Sequence, residues 1–164
     1  MSQEVVDSPN VGKLIGLAGQ GNFVGRFKHA LDPKRRLTIP AVWRLQVGNP
    51  PVLYVLPDIH EKCLCLFPAA DWMRRIEKLR HHSLTDRRAR RLARILGSQS
   101  ELLPWDVQGR IRIKDDLLAQ AGLTDEVVLV GAFEYIELWN VANMAEANAA
   151  EPMGLEDVAE YVGI

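Results

Sequence analysis

The sequence predicts a mainly β, α+β fold in which two similar half-domains pair about a pseudo-two-fold axis, with a helical hairpin between them. The first observation is a repeat: residues 31–39 and 105–113 share the pattern Asp-x-x-x-Arg-apolar-x-Ile, 74 residues apart. A unit that occurs only twice favours two paired halves over a solenoid. The second observation is the helical rather than strand periodicity of residues 69–97, between the copies.

The first copy is predicted to cover residues 23–68 as strand, turn, strand, short helix, strand, strand. Pro33 suits the second position of the turn that begins at Asp32, because its φ is already fixed. Pro40 suits the first turn of the helix, where its missing N–H is not needed. The predicted strands and helix are 23–30, 36–39, 40–46, 52–56 and 63–67.

The second copy, residues 98–140, repeats this order. Val55 corresponds to Leu129, and the same offset places Leu64 at Leu138 and Cys65 at Trp139, with no gap. The predicted strands and helix, with Gly122 as the helix end, are 99–103, 111–113, 115–121, 126–130 and 135–139. Agreement between the two copies supports the assignment of each.

The segments outside the two copies differ in character. In residues 69–97, an apolar stripe formed by Trp72, Ile76 and Leu79 predicts one helix. Ser83-x-x-Asp86 resembles a capping box that begins a second helix, and Gly97 would end it. Residues 1–22 are predicted to be a flexible N-terminal extension, and residues 141–164 an acidic C-terminal tail with two helical fragments at most.

Charge is distributed very unevenly along the chain. Residues 1–114 contain all 20 Lys and Arg and carry a net charge of +10, whereas residues 115–164 carry −11. This asymmetry favours a surface that binds polyanions together with an acidic face or tail. Neutralisation of one half by the other, within the fold or between subunits, is the alternative.

Several classes of protein are disfavoured by what the sequence lacks. It contains no apolar run near the ~20 residues of a membrane span and no basic, apolar N-terminal segment typical of a signal peptide. Cys63 and Cys65 would share one face of a strand, but no second Cys or His pair follows at ligand spacing. We therefore expect free thiols in a cytoplasmic protein, with no metal and no cofactor.

The duplicated carboxylates allow an enzymatic and a structural interpretation. Asp32 and Asp106 could form a symmetric catalytic dyad, although no nucleophile or histidine recurs with them. An Asp that begins a turn also accepts backbone N–H groups and can hold the Arg four residues later. The structural role is favoured, which predicts that the protein is not an enzyme.

The turns are better suited to binding DNA. Lys34, Arg35 and Arg36 place three cations in one tight loop, and Arg110 follows the second turn. Arg holds phosphate bidentately or reads guanine in the major groove, while Lys acts on phosphate as a point charge. Internal pairing of Arg36 and Arg110 with the two aspartates is the alternative. The arginines of residues 74–94 are interpreted as a solvated helix face.

Taken together, these residues resemble the MraZ family of bacterial transcriptional regulators. The similarity lies in residues 31–40, 63–68 with Asp71-Trp72, 106–110, 128–131 and 137–139, and it extends over about 70% of the chain. It implies two AbrB-like swapped-hairpin halves in a double barrel. It also implies a ring of about eight or more subunits, with the turns on one rim, that binds double-stranded DNA at short G-rich direct repeats upstream of its own gene and mostly represses the division and cell-wall cluster.

The resemblance assigns DNA contacts to Lys34 and Arg36, and to Arg110 in the second copy, and it places the protein at the nucleoid. Two positions depart from the family pattern. Arg35 stands where Gly is usual, and Gly there suggests a positive φ. Lys114 stands where Pro is usual. An oligomeric interaction protein whose basic loops bind an acidic protein surface is the alternative function.

Overall fold

The computed structural model describes residues 22–48, 50–150 and 152–164, so nearly all of the predicted N-terminal extension lies outside the described residues. Strands and helices follow the predicted order in both copies. The strands are β1 Arg26–Ala30, β2 Arg36–Thr38, β3 Val52–Pro57, β4 Leu64–Pro68, β5 Glu101–Pro104, β6 Arg110–Arg112, β7 Glu126–Gly131 and β8 Ile136–Trp139. The helices are α1 Ala41–Val47, α2 Ala69–Ser83, α3 Arg87–Gln99, α4 Asp115–Gln120, α5 Val141–Ala150 and α6 Leu155–Val162.

The two copies exchange strands. Six strands form an antiparallel sheet in the order β1-β7-β8-β4-β3-β5, and β2 pairs with β6 in a separate ribbon. The first strand of each copy therefore pairs with the other copy: β1 with β7, and β5 with β3. This exchange is the swapped-hairpin arrangement, and it confirms the mainly β, α+β fold with two interlocked halves.

The register shows where the pseudo-two-fold axis lies. Leu37 of β2 pairs with Ile111 of β6, its counterpart 74 residues later. The outer pairs obey the same offset. Ala30 faces Glu126, and their counterparts in the other copy, Pro104 and Val52, also face each other. An axis that relates the two copies therefore passes through the centre of the β2–β6 ribbon.

The offset changes within the second hairpin. Val55 faces Leu66 in the first copy, whereas its counterpart Leu129 faces Leu138 in the second. Leu138 thus corresponds to Leu66, and the prediction that it matches Leu64 without a gap is wrong. The connection 58–63 is two residues longer than the connection 132–135, so strands align at an offset of 72 beyond it.

One face of the sheet packs on the ribbon and the short helices. Alternate strand residues such as Leu53, Leu64, Leu129 and Leu138 are fully buried on this side, in one cluster with Trp43 of α1. The Trp43 indole donates its N–H to the carbonyl of Val24 at 3.0 Å. It also meets the rings of Phe23 and Phe27 edge-on. This core fixes the position of the β2–β6 ribbon on the sheet.

The opposite face is covered by longer helices. Cys63, Cys65, Phe67 and Trp139 are buried here. The partly buried residues that pack against this cluster come from β3, α2, α3, β7, α5 and the segment before β8: Tyr54, Trp72, Leu96, Val130, Tyr135, Met144 and Ala147. The alternation of strand side chains thus gives each face its own apolar layer. None of the helices in the described ranges is long and apolar enough to cross a membrane.

The helical hairpin departs from the predicted boundaries. Asp86 is the N-cap of α3 and accepts the N–H of Arg88 at 2.7 Å, whereas Ser83 is the last residue of α2. The predicted capping box is therefore wrong, because the Ser83 hydroxyl donates to the carbonyl of Arg80 instead. Helix α3 also continues past Gly97 to Gln99.

Candidate nucleic-acid interface

The two turns have the same internal hydrogen bonds. One oxygen of Asp32 accepts the backbone N–H of Lys34 at 2.9 Å and of Arg36 at 2.8 Å, and the other accepts Nε of Arg36 at 2.6 Å. In the second turn, Asp106 accepts hydrogen bonds from the backbone N–H of Gln108 at 2.9 Å and of Arg110 at 3.0 Å. It also accepts one from Nε of Arg110 at 2.8 Å. The aspartates therefore hold both the turn backbone and an arginine side chain, as the structural interpretation requires.

These contacts lower the pKa of both carboxyl groups. At Asp32, desolvation opposes ionisation, but hydrogen bonds from the backbone and side chain of Arg36 and from the backbone of Lys34 outweigh it, and the pKa lies below its usual value. At Asp106, the backbone hydrogen bond from Arg110 is the largest cause of the lowered pKa. Both turns thus retain ionised carboxylates at neutral pH.

The aspartates do not form a dyad suited to catalysis. Each turn immediately precedes its strand, and β2 and β6 run antiparallel, so the two turns lie at opposite ends of the ribbon. Each carboxylate is also occupied by three hydrogen bonds within its own turn. A shared proton or a paired acid and base at these residues has no geometric support.

Arg35 has the left-handed backbone that the departure from Gly suggests. Its φ is +61°, and Gly109, at the same place in the second turn, has a φ of +77°. The Arg35 guanidinium donates to the carbonyl of Thr124 at 3.2 Å and lies 3.6 Å from a carboxylate oxygen of Asp115. Because these contacts use part of its donor capacity, Arg35 is less available to a ligand than its neighbour Lys34.

Outward-facing side chains of the ribbon form a basic surface. Leu37 and Ile111 point into the core and are fully buried, so the alternate residues lie on the outer face. Arg36 is paired with Arg112, and Thr38 with Arg110. We call this set, with Lys34, the ribbon surface: Lys34, Arg36, Thr38, Arg110 and Arg112.

Two arginines of the ribbon surface, Arg36 and Arg110, are held in position and still have N–H donors to offer. The side chains of Arg36 and Arg110 are 29% and 27% exposed, and each uses Nε in its bond to aspartate. A guanidinium has five N–H donors, so the Nη groups remain for a further partner. Pairing with aspartate and contact with DNA are therefore compatible in the same side chain.

The two turn tips differ in charge. Lys34 occupies the exposed tip of the first turn, and Gln108 occupies the same place in the second, next to fully exposed Val107. The second turn instead lies close to the Arg44 guanidinium, which occupies the space beside Gly109. Sequence reasoning missed Arg44, because it lies on α1 outside the repeated motif and only the fold brings it to the other turn.

Comparison with known proteins agrees with this geometry. Residues 23–95 and 100–152 match the family model described as "MraZ protein, putative antitoxin-like". The chain belongs to the MraZ family. The first matched segment contains the first copy and most of the helical hairpin, and the second contains the second copy and α5, with a gap near the end of α3.

Curated MraZ proteins share about a third of their residues with this chain. A relative from Thermomicrobium roseum is 39% identical over 132 residues, which cover 79% of this chain and 91% of the relative. Relatives from Clostridium acetobutylicum and Alkaliphilus metalliredigens are 31% and 30% identical, over 77% and 87% of this chain and 87% and 99% of their own lengths. All three are named "Transcriptional regulator MraZ".

Proposed function

We propose that this chain is a transcriptional regulator that binds double-stranded DNA through the ribbon surface. The observation that carries the proposal is the outward placement of Arg36, Arg110 and Arg112 on one short two-stranded ribbon. The major groove, ~12 Å wide, admits a two-stranded ribbon. The names of the relatives supply the regulatory role, and the ribbon supplies a surface suited to it.

Within this surface, the residues have different tasks. Lys34 is exposed at a turn tip and provides a point charge for a phosphate, assisted by Arg35. Arg36 and Arg110 are oriented by their aspartates, which suits bidentate contact with guanine. Asp32 and Asp106 act by positioning these arginines, since their own oxygens are occupied.

The family resemblance extends the proposal to assembly and target. The chain would form a homo-oligomeric ring of about eight or more subunits and bind short G-rich direct repeats upstream of its own gene. It would repress the division and cell-wall cluster from a cytoplasmic, nucleoid-associated location. A ring presents several identical ribbon surfaces, so individually weak contacts to successive repeats would add through effective concentration.

A competition binding assay tests the proposal. Labelled DNA from directly upstream of the gene is titrated with protein, with the scrambled sequence as competitor, between 50 and 200 mM salt. We expect specific binding that weakens steeply with salt, because released counterions contribute much of the affinity. Equal binding of both DNAs, or affinity unchanged across this salt range, would contradict the proposal.

A matched pair of variants separates the ribbon surface from the other basic region. Arg112→Gln removes a charge from the outer face of the ribbon, and Arg91→Gln removes a charge from α3; both side chains are exposed. We expect Arg112→Gln to weaken specific binding several-fold and Arg91→Gln to leave it unchanged. The reverse result would place the DNA on the helical hairpin.

The exposed acidic helix α6 favours one alternative function. It carries Glu156, Asp157 and Glu160 without any basic residue, so the basic turns could bind this helix in a neighbouring copy. Deleting residues 152–164 distinguishes the two functions and retains α5, which packs on the sheet through Met144 and Ala147. Self-association should persist if the basic turns bind DNA and collapse if they bind the tail.

A further inference from the structure

Two buried cysteines and a carboxylate meet on the side of the sheet opposite the ribbon. The ligand atoms of Asp58, Cys63 and Cys65 all lie within 4.8 Å of one another, and the described residues contain no other such group of three. Cys63 and Cys65 are 2% and 3% exposed. The sequence predicts that the two thiols share one strand face, but it indicates no third ligand. Asp58 was missed because it lies before a loop whose folding brings it to the thiols.

The local backbone holds the carboxylate toward the thiols. One oxygen of Asp58 accepts the backbone N–H groups of His60 and Glu61 at 2.8 and 2.7 Å. The other oxygen lies 3.5 Å from Cys65 Sγ. The loop is closed by a hydrogen bond from Asp58 N to the carbonyl of Cys63 at 3.0 Å. This arrangement leaves one oriented carboxylate oxygen for a ligand that the thiols share.

The surroundings add negative charge. Glu137 pairs with Cys65 across the pseudo-two-fold axis. Its two oxygens accept the Trp139 indole N–H at 2.7 Å and the Tyr135 hydroxyl at 3.2 Å. In the second copy, Tyr135 and Glu137 stand at the positions that Cys63 and Cys65 have in the first. The first hairpin alone therefore carries the two thiols, and Glu137 lies beside them.

We propose that Asp58, Cys63 and Cys65 bind one Zn²⁺-like ion through two thiolates and one carboxylate oxygen. Tetrahedral bonds of about 2.0–2.3 Å place ligand atoms roughly 3.3–3.8 Å apart, so small rotations of the three side chains suffice. Sulfur together with oxygen ligands favours zinc over magnesium or calcium. Each thiol loses its proton to solvent on binding, with no change in oxidation state.

A surface groove lies beside the site. A groove of about 370 Å³ lies between the 58–63 loop and α5, and its lining includes His60, Lys62, Trp139 and Glu146. In the proposal, a water molecule occupies the fourth coordination position. A bound ion would tie the connection between β3 and β4 to the sheet, next to the pseudo-two-fold axis.

Cobalt substitution is the direct test. The full-length protein is reduced, freed of metal with a chelator and titrated with Co²⁺, and then with Zn²⁺ against a chromophoric chelator. We expect a thiolate-to-cobalt charge-transfer band that saturates at one equivalent per chain and is displaced by Zn²⁺. Absence of this band in the reduced wild-type protein would overturn the proposal.

Variants show which residues form the site. Cys63→Ser and Cys65→Ser should each weaken Zn²⁺ binding and reduce the charge-transfer band. Asp58→Asn should weaken Zn²⁺ binding at least tenfold while both sulfur ligands remain. This variant tests the site even if a cysteine variant fails to fold. Asp116→Asn, an exposed carboxylate on α4, is the matched control and should bind as wild type.

The thermal unfolding midpoint gives a second readout. Zn²⁺ bound to the folded chain should raise the midpoint of the wild type and the Asp116→Asn control but not that of the Asp58→Asn variant. Unchanged Zn²⁺ affinity in Asp58→Asn and both cysteine variants would overturn the assignment of the ligands.

Discussion

Arg35 and Gly109 occupy the same position in two copies of one turn, and both have positive φ, at +61° and +77°. The hydrogen bonds around them match: Arg35 N donates to the carbonyl of Asp32 and Gly109 N to that of Asp106, each at 2.9 Å. The hydrogen bonds of the turn therefore require a left-handed backbone conformation at this position, whichever residue occupies it. Glycine adopts this conformation without steric cost, whereas arginine does not.

Arg35→Gly should be more stable than Arg35→Ala. Both substitutions remove the exposed contacts with Thr124 and Asp115. Only Ala keeps the steric cost of left-handed backbone, so we expect the free energy of unfolding of the Gly variant to exceed that of the Ala variant by about 1 kcal/mol. Urea unfolding at one fixed protomer concentration measures the difference. Equal stability would show that the turn relaxes to another backbone.

Acid should destabilise the protein through Asp32 and Asp106. Their lowered pKa values mean that the folded state keeps these groups ionised more strongly than the unfolded state does. Their contribution is complete above the unfolded pKa, ~3.9, and is lost as pH falls through the lower folded pKa. We expect the stability lost on Asp32→Asn or Asp106→Asn to be largest at neutral pH and to shrink below about pH 4.

Urea unfolding midpoints from pH 7 to pH 3 measure this dependence. Glu146→Gln is the control, because this exposed carboxylate lies in the middle of α5, outside both turns and away from a helix N-terminus. Its difference from wild type should stay small across the range. A constant difference between Asp32→Asn and wild type from pH 7 to pH 3 would show that the carboxylate charge does not stabilise the turn.

Lys34 and Arg36 should have separable effects on DNA binding. Lys34→Gln gives the first tip the residue found at Gln108. It should reduce the slope of log affinity against log salt by about 0.9 for each subunit in contact with the DNA, with sequence preference kept. Arg36→Ala should abolish specific promoter binding and leave the oligomer intact, since a bidentate base contact contributes ~1–3 kcal/mol of discrimination. Anisotropy titrations with promoter and scrambled DNA, with light scattering for assembly, measure both.

Lys78→Gln, an exposed lysine on α2, is the matched control for Lys34→Gln and should keep the wild-type slope. If Arg36→Ala weakens promoter and scrambled DNA by the same factor, Arg36 contacts the DNA backbone rather than a base. If the Arg36 variant also loses its assembly, its role is to maintain the turn.

The repeated motif made the main features of the fold predictable from sequence. A pattern that includes Asp, Arg and Ile at fixed spacing locates both turns, and the duplication predicts two halves paired about an axis. The pairing of Leu37 with Ile111 at that axis comes from the structure. The predicted strands already differ in their connections, with six residues between 52–56 and 63–67 but four between 126–130 and 135–139. The constant offset was nevertheless assigned across them, because Leu64 and Leu66 are both apolar and alternate with similar neighbours. The register shows that Leu138 corresponds to Leu66.

The candidate interface was predictable only where it lies inside the motif. Lys34, Arg36 and Arg110 follow from the repeat, whereas the approach of Arg44 to Gly109 depends on how α1 packs. Asp58 likewise meets Cys65 through a turn whose closing hydrogen bonds have no clear sequence signature. Contacts between elements that no repeat relates require the tertiary structure.

Two glycines outside the turns should respond to alanine in opposite directions. Gly97 lies within α3, not at its end, and a Cβ there would meet nothing within 4 Å. At Gly131 a Cβ would lie 2.4 Å from the carbonyl oxygen of Phe23, in backbone held by paired hydrogen bonds between Phe23 and Phe133. Neither position has a positive φ. The two substitutions therefore separate helix propensity from close packing.

Gly97→Ala should raise the free energy of unfolding by about 0.5–1 kcal/mol, because alanine favours a helix interior over glycine. Gly131→Ala should lower it by roughly 1–3 kcal/mol, because the backbone of Phe23 must move. Urea unfolding of the two variants beside wild type measures both signs in one experiment. A destabilised Gly97→Ala variant would mean that this part of α3 is covered in the assembled protein, since an added methyl group harms stability only where a neighbour occupies its space.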